Sequence, residues 1–447
     1  MMPLVSVPET IRRGLAPYRD MFCRAEGFEH VSRYVTGLIR SPHKTLPGIY
    51  DMQVGEPGGA HSRRAMHEAV FAAGWAADAL MPHHRAVLAG APRGCGREVI
   101  SLDWTYAHYE RGVKIGGVKK AWDHVQQRLV PYQTVMTAVS ANRARLDGIE
   151  VLVQQPNRQD EELAYLQETV RESYAQVEEA RGRVLELLHH RVHCLGYKKR
   201  PELALDIVQQ LEQAGHFPSA HYAFDHGVLS LELSRGIEHA GKHWVSELEC
   251  SRHSHWQGQW QRVDTVAHAL RQAHPASFRA VQVHCRNGQT KQFWVFTKVV
   301  RLKRYGRKRL VMVHEQQDLG DTPRFLLTDA LHWDSRRVLA TWSYRWTSEI
   351  FHEFAKQVTG LEAAQGRKEE AVQRHFRLSC VAQSLIQQAP ASGSTSERFA
   401  FAKGESTYGQ RCHTIVREAW SGLLRLVASL LARGRKCEDI LELLLPA

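Results

Sequence analysis

The chain has no uncharged apolar run of about 18 residues, the length a helix needs to cross a bilayer. Its first residues, MMPLVSVPETIRR, also lack the apolar stretch of a secretory leader. A protein that stays in the cytoplasm, without a membrane partner, is expected. The eight cysteines, at 23, 95, 194, 250, 285, 380, 412 and 437, form no C-x-x-C pair, so neither a zinc knuckle nor a disulfide framework is legible. The run HHRVHC, with His189, His190, His193 and Cys194, lacks a second ligand pair at finger spacing. No internal repeat is visible, which argues against a solenoid. Acidic residues are fewer than basic ones, 47 against 59, for a net charge of +12. That balance favours a polyanionic partner, nucleic acid before anionic membrane.

The chain has 447 residues, of which 43% are hydrophobic and 24% charged, enough for several packed units and too apolar for wholesale disorder. Residues 1–95 read as a small helical domain broken by SPHKTLPGIYD and GEPGGAHSRR. After the joint GAPRGCG come three strand-length runs, REVISLDWTYA, LVPYQTVMTAVSA and GIEVLVQQP, which suggest a meander. A charged helical period follows from residue 157 to 190 and again in ELALDIVQQLEQAG, before a short strand, HYAF, that runs into Asp225. Residues 231–320 alternate as strands, with RNGQ and RYGRK as hairpin turns. RFLLTDAL reads as a last strand, and Asp334 or Ser335 can cap a long helix after it. Further helices occupy the stretch to 395 and the tail 396–447.

The segment WSYRWTSEIFHEFAK, residues 342–356, mixes charge with large apolar groups and has no glycine or proline. Read as one uninterrupted helix at about 100° per residue, it gathers Trp342, Arg345, Glu349, Glu353 and Lys356 on one face. Trp346, Ile350, Phe351 and Phe354 then form the packing face. Two aspartates sit where packing alone would favour apolar residues: Asp103 in VISLDWT and Asp225 in HYAFDHG. With Glu349 they make three carboxylates, two from strands and one from a later helix. Such hard oxygen donors suit a pair of Mg2+ ions about 3.5–4 Å apart serving an in-line phosphoryl transfer. Glu353, one turn beyond Glu349, is the rival for the third position. RLKRYGRKR carries six basic residues in nine. Arg304, Arg307 and Lys308 within it suit a phosphate backbone, although basic residues on an edge hairpin also serve to prevent strand pairing.

These motifs resemble the bacterial insertion-sequence DDE transposases, whose third motif is Y-x-x-R-x-x-x-E with a lysine seven residues after the glutamate. Trp342, Arg345, Glu349 and Lys356 occupy those positions, and SLDWT and AFDHG are similar to the first two motifs. The resemblance covers roughly residues 95–390 and departs from the pattern at Trp342, which replaces the tyrosine. It implies an α/β, RNase H-like mixed sheet flanked by helices, split as 96–230 and 321–395 around a β-rich insertion at 231–320. It implies two Mg2+ or Mn2+ ions held by Asp103, Asp225 and Glu349, with Arg345 and Lys356 on phosphates; Trp342, where the chain leaves the family pattern, either stacks from the same helical face on a displaced base or packs as core against the β-rich insertion. The implied reaction is cleavage at element ends and joining of the 3′-hydroxyls to target DNA. The implied partners are double-stranded terminal repeats and target DNA, met as a homodimer at the nucleoid, with the N-terminal domain giving end specificity. A metal-dependent nuclease on the same fold and a non-catalytic domesticated transposase remain open from the residues alone.

Overall fold

The computed structural model describes residues 3–54, 62–92, 96–109, 112, 114–123, 127–157, 197–286, 288–391 and 406–445, with single positions at 164, 167–168, 171 and 182. The expected charged helix over 157–190 and the HHRVHC run fall outside the described residues, apart from those single positions. Twelve strands form one sheet between layers of helix. β1 (Val99–His108) pairs antiparallel with the long β3 (Arg128–Ala141), which carries β2 (Lys119–Asp123) and β4 (Leu146–Val153) on its other edge. On its second side β1 pairs parallel with β5 (His221–Phe224), and β5 pairs parallel with β6 (Trp244–Glu247). The sheet then continues antiparallel through β12 (Arg324–Thr328), β11 (Gly306–His314), β10 (Thr290–Leu302), β7 (His253–Trp256) and β8 (Gln259–Arg262), with β9 (Arg279–His284) also on β10. The expected meander and both hairpin turns are present. The short β2 was missed, because KKAWD is too polar for a periodic signal.

The two sheet faces carry separate cores. Leu102, Phe224, Trp244, Leu302 and Met312 face α6 (Arg200–Ala214), α7 (Leu231–His239) and α8 (Val263–Ala273). α6 stops at Gly215, whose φ of 65° gives the left-handed turn that an L side chain resists. On the other face Val245, Val311, Val313 and Leu326 receive α9 (Ser335–Trp342). Beside it, Val99, Val139, Val151 and Ala223 receive α10 (Trp346–Gln357) and α11 (Glu369–Gln388). The expected β-rich block at 231–320 opens on α7, contains α8, and gives its first strand, β6, to the parallel part of the sheet.

The N-terminal helices α1 (Glu9–Leu15), α2 (Ala25–Arg40), α3 (Leu46–Tyr50), α4 (Arg63–His67) and α5 (Leu80–Gly90) share one core with α11. Leu378, Val381, Leu385 and Ile386 of α11 pack against Ile11, Val31, Val35 and Leu38. α11 is therefore buried on nearly every side, which its mixed composition conceals. Its buried histidine is satisfied internally: the Tyr34 hydroxyl meets His375 Nδ1 at 2.7 Å, and His375 Nε2 lies 2.7 Å from the Gly360 carbonyl. The tail helices α12 (Tyr408–Ala432) and α13 (Cys437–Leu444) follow. The Glu418 carboxylate of α12 accepts from Thr10 N and Oγ1 at 2.8 and 2.6 Å, tying the tail to the start of α1. Among the described residues no helix is long and apolar enough to cross a membrane.

Candidate active site

Strand register aligns the two aspartates. Val99 pairs with His221 and Leu102 with Phe224, so one further step sets Asp103 opposite Asp225 at the rim of adjacent parallel strands. Ser101 faces α10, and alternation turns Asp103 the same way. The Trp104 amide donates to Asp103 Oδ1 at 2.8 Å, and the Val228 amide donates to Asp225 Oδ1 at 3.2 Å. Gly227 leaves the second aspartate its room. A Cβ there would stand 3.3 Å from Asp225 Oδ1 and 3.5 Å from Trp104 Nε1.

α10 lies along β1 and brings the glutamate. Ser348 Oγ donates to Ser101 Oγ at 2.7 Å, and Ser101 Oγ donates to the Arg345 carbonyl at 3.0 Å. One turn on, His352 Nε2 meets Thr137 Oγ1 at 2.7 Å, and that hydroxyl also donates to the Asp103 carbonyl at 3.2 Å. Two turns on, Lys356 Nζ donates to the Tyr106 carbonyl at 2.6 Å. These contacts fix the helix in register beside Asp103. Fully burying Phe351 on the same helix contributes about 1.5–3 kcal/mol to its docking.

Asp225 and Glu349 both act electrostatically on Asp103. Asp103 is pushed up to about 7, first by burial and then by Asp225, with Glu349 raising it further and Arg345 opposing. The Arg345 guanidinium stands 3.8 Å from Asp103 Oδ2 and 2.5 Å from Glu349 Oε1. It thus bridges the first and third acids. Among the described residues no three carboxylate, imidazole or thiolate side chains meet closely enough to ligate one ion as they stand. The donor chemistry nonetheless fits magnesium: hard oxygens, crowded negative charge, and one acid that burial and its neighbours have made costly to ionise. Ligation by all three requires Arg345 to release Glu349.

Several expectations change. Residues 342–356 are two helices: α9 ends at Trp342, residues 343–345 form a turn, and α10 starts at Trp346. Across the break Trp342 stays beside Arg345, whose guanidinium lies 5.3 Å from the centroid of the tryptophan ring. Trp342 is 8% exposed and packs among Val283, Val311 and Val313 of the inserted sheet, so it is a core residue rather than a stacking platform. Trp346, expected in the packing face, is 57% exposed, and its ring lies 5.7 Å from the Arg345 guanidinium. Lys356 is held by Glu362 at 2.9 Å as well as by β1, which makes it a strut. Glu353 is exposed and accepts a hydrogen bond from Gln357 Nε2 at 3.4 Å. Asp334, not Ser335, caps α9 by accepting from the Arg337 amide at 2.8 Å.

The basic trio is also divided. Arg307 is exposed, while Lys308, next along the strand, points to the opposite face, where its Nζ lies 3.1 Å from Glu238. The Arg304 guanidinium lies over the Tyr305 ring, 5.9 Å from its centroid. The sequence reading missed Glu247, which follows Ser246, the partner of Phe224, and so stands beside Asp225. The alternating run HWVSELE contained the signal, since Val245 and Glu247 share a face. Beside Arg345 a groove of about 440 Å³ opens between α9, α10 and the inserted strands, with Arg286, Lys291, Arg324 and Trp346 on its walls. No known family profile matches the chain, and no curated protein is similar to it.

Proposed function

We propose that the protein is a DNA transposase of the DDE class, built on an RNase H-like core. The observation that carries this reading is the convergence of Asp103, Asp225 and Glu349 in one electrostatic field, on two adjacent strands and the helix beside them. The strand order β4-β3-β1-β5-β6 supports the core, with β3 antiparallel and β5 and β6 parallel to β1. The net charge of +12 supports a nucleic-acid substrate.

Asp103, Asp225 and Glu349 would hold two Mg2+ or Mn2+ ions. Such ions activate a water or 3′-hydroxyl for attack and stabilise the leaving oxygen. The chain's own residues supply the remainder. Arg345, freed from Glu349, would pair with a nonbridging phosphate oxygen beside the cut. Trp346 and the groove walls would exclude water and contact the DNA end. Lys356 and His352 would position α10 through Tyr106 and Thr137, without touching substrate. A homodimer assembled on paired element ends is part of the reading.

The test is cleavage and strand transfer with labelled duplexes from the DNA flanking the gene, in Mg2+. Asp103→Asn, Asp225→Asn and Glu349→Gln should each abolish cleavage yet keep duplex binding, while Glu353→Gln should remain active. Cleavage that survives in any of the three removes that residue from the site. Cutting with no joining of 3′-ends would identify a nuclease instead.

A further inference from the structure

Away from the acids, the inserted strands carry a row of side chains that the reaction does not use. His255 of β7 stands opposite both Trp260 of β8 and Arg301 of β10, and Arg301 stands opposite Arg307 of β11. Directly opposed residues share a face, so Trp260, His255, Arg301 and Arg307 line up across four strands, over about 15 Å at the usual strand spacing. All four are exposed, Trp260 by 44%. A second row lies two residues along, about 7 Å away. It holds His253 and Lys303, joined by the Lys303 amide donating to the His253 carbonyl at 3.1 Å. Both are exposed.

The charges in these rows are available. Nearby Arg262 is taken by Asp264 at 2.5 Å, and Arg252 by Glu249 at 2.6 Å. Arg301, Lys303 and Arg307 form no ion pair among the described residues. At the open end of the row the Trp260 and His255 rings meet edge to face, with centroids 5.3 Å apart. Counting registers from Ser101 through Ala223, Val245 and Thr328 to Arg309 places Arg307 level with Val99. The row therefore starts about 20 Å to the side of Asp103, four strand spacings away.

We propose that this face is a binding platform for single-stranded nucleic acid, with an unpaired base stacked on Trp260 and the backbone running over Arg301, Lys303 and Arg307. Two features select a single strand. The exposed indole needs an open base face, which a duplex hides, and the step of about 7 Å between rows is close to the phosphate spacing of an extended strand. This rests on the DNA-processing reading above, and in that setting the ligand is the strand freed beside a cut.

The test is binding of labelled dT20 and of a 20-base-pair duplex in EDTA, so no cleavage is involved and failure here is separable from failure of the active-site reading. Trp260→Ala should weaken dT20 binding about tenfold and Trp260→Phe should restore most of it. The Arg301→Gln/Arg307→Gln double variant should flatten the log–log salt dependence for dT20 by about 1.4. Both variants should keep the wild-type melting temperature, since the altered side chains are exposed. Unchanged dT20 affinity in Trp260→Ala, an equal loss on duplex and single strand, or competition by polyglutamate as strong as by dT20 would each overturn the proposal.

Discussion

Replacing Asp103 with asparagine should make the metal-free protein more stable while removing its activity. Asp103 is 7% exposed, and its carboxyl is pushed up from 3.8 to about 7 by burial, by Asp225 and by Glu349. A carboxyl raised in the folded state binds its proton more tightly there than in the unfolded chain. Below pH 4 both states are protonated and no cost exists. Between pH 4 and 7 the unfolded state loses the proton first, so stability falls as pH rises; above pH 7 the full cost is present. The full displacement corresponds to about 4 kcal/mol, at roughly 1.4 kcal/mol per pH unit. Side-chain relaxation and water at the rim reduce it, and the lost contact with Arg345 at 3.8 Å subtracts little, leaving about 1–3 kcal/mol. Asparagine keeps the bond from the Trp104 amide and carries no charge. In EDTA at pH 7.5 the variant should melt a few degrees higher, with the gap closing by pH 4. Adding Mg2+ should reverse the order, because a ligand at 100 times its Kd adds about 2.7 kcal/mol to the protein that binds it. A variant that melts lower than wild type in EDTA, or a gap that does not change with pH, would refute the account of the site.

Trp342→Tyr should lose about 1–3 kcal/mol, because the smaller ring leaves a void among Val283, Val311 and Val313, while cleavage per folded molecule persists. Thermal melting with strand transfer on that variant checks it, and an unchanged melting temperature with raised activity would return Trp342 to a stacking role. Gly148→Ala should lower both stability and cleavage, since the added methyl would stand 2.5 Å from Phe351 Cε2 and displace the helix that carries Glu349. Normal cleavage in a well-folded Gly148→Ala protein would show that the helix tolerates displacement.

The sheet was legible where strands were long, apolar and bounded by turns, as in VISLDWTYA and the Gly306 hairpin. It was illegible where long-range packing overrides local pattern. The burial of α11 is one such case, because RHFRLSCVAQS mixes polar and apolar residues. Two of the helix's polar side chains are met inside the protein: Gln383 Nε2 donates to the Leu146 carbonyl at 3.1 Å, and Arg374 Nη2 donates to the Ala73 carbonyl at 2.8 Å. The placement of the N-terminal helices depends on α11, so their shared core was hidden as well. Periodicity pointed to helices in this part of the chain; the core they share with α11 shows only in the fold.

The site was legible in its residue types and not in the direction each one faces. Asp103 and Asp225 could be read because a charged residue in an apolar strand has few structural uses, and each follows directly on the last residue pair of the β1–β5 register, Leu102 and Phe224. The error in 342–356 came from extending one helical period across a turn that contains neither glycine nor proline. Ser343 Oγ donates to the Ala340 carbonyl at 2.8 Å and Thr347 Oγ1 donates to the Tyr344 carbonyl at 2.6 Å, so side chains take up carbonyls on either side of the break. The break has a consequence for chemistry. It lets Trp342 finish the core beneath the inserted strands while Arg345, three residues on, swings over the acids from the start of α10. The two stay in contact across the break, with the Arg345 guanidinium 5.3 Å from the centroid of the Trp342 ring. Arg345 is thus held between the Trp342 ring and the Glu349 carboxylate, beside a helix fixed by Ser101, Thr137 and Tyr106, and under the proposed function the contact to Glu349 is the one that a phosphate and metal would replace.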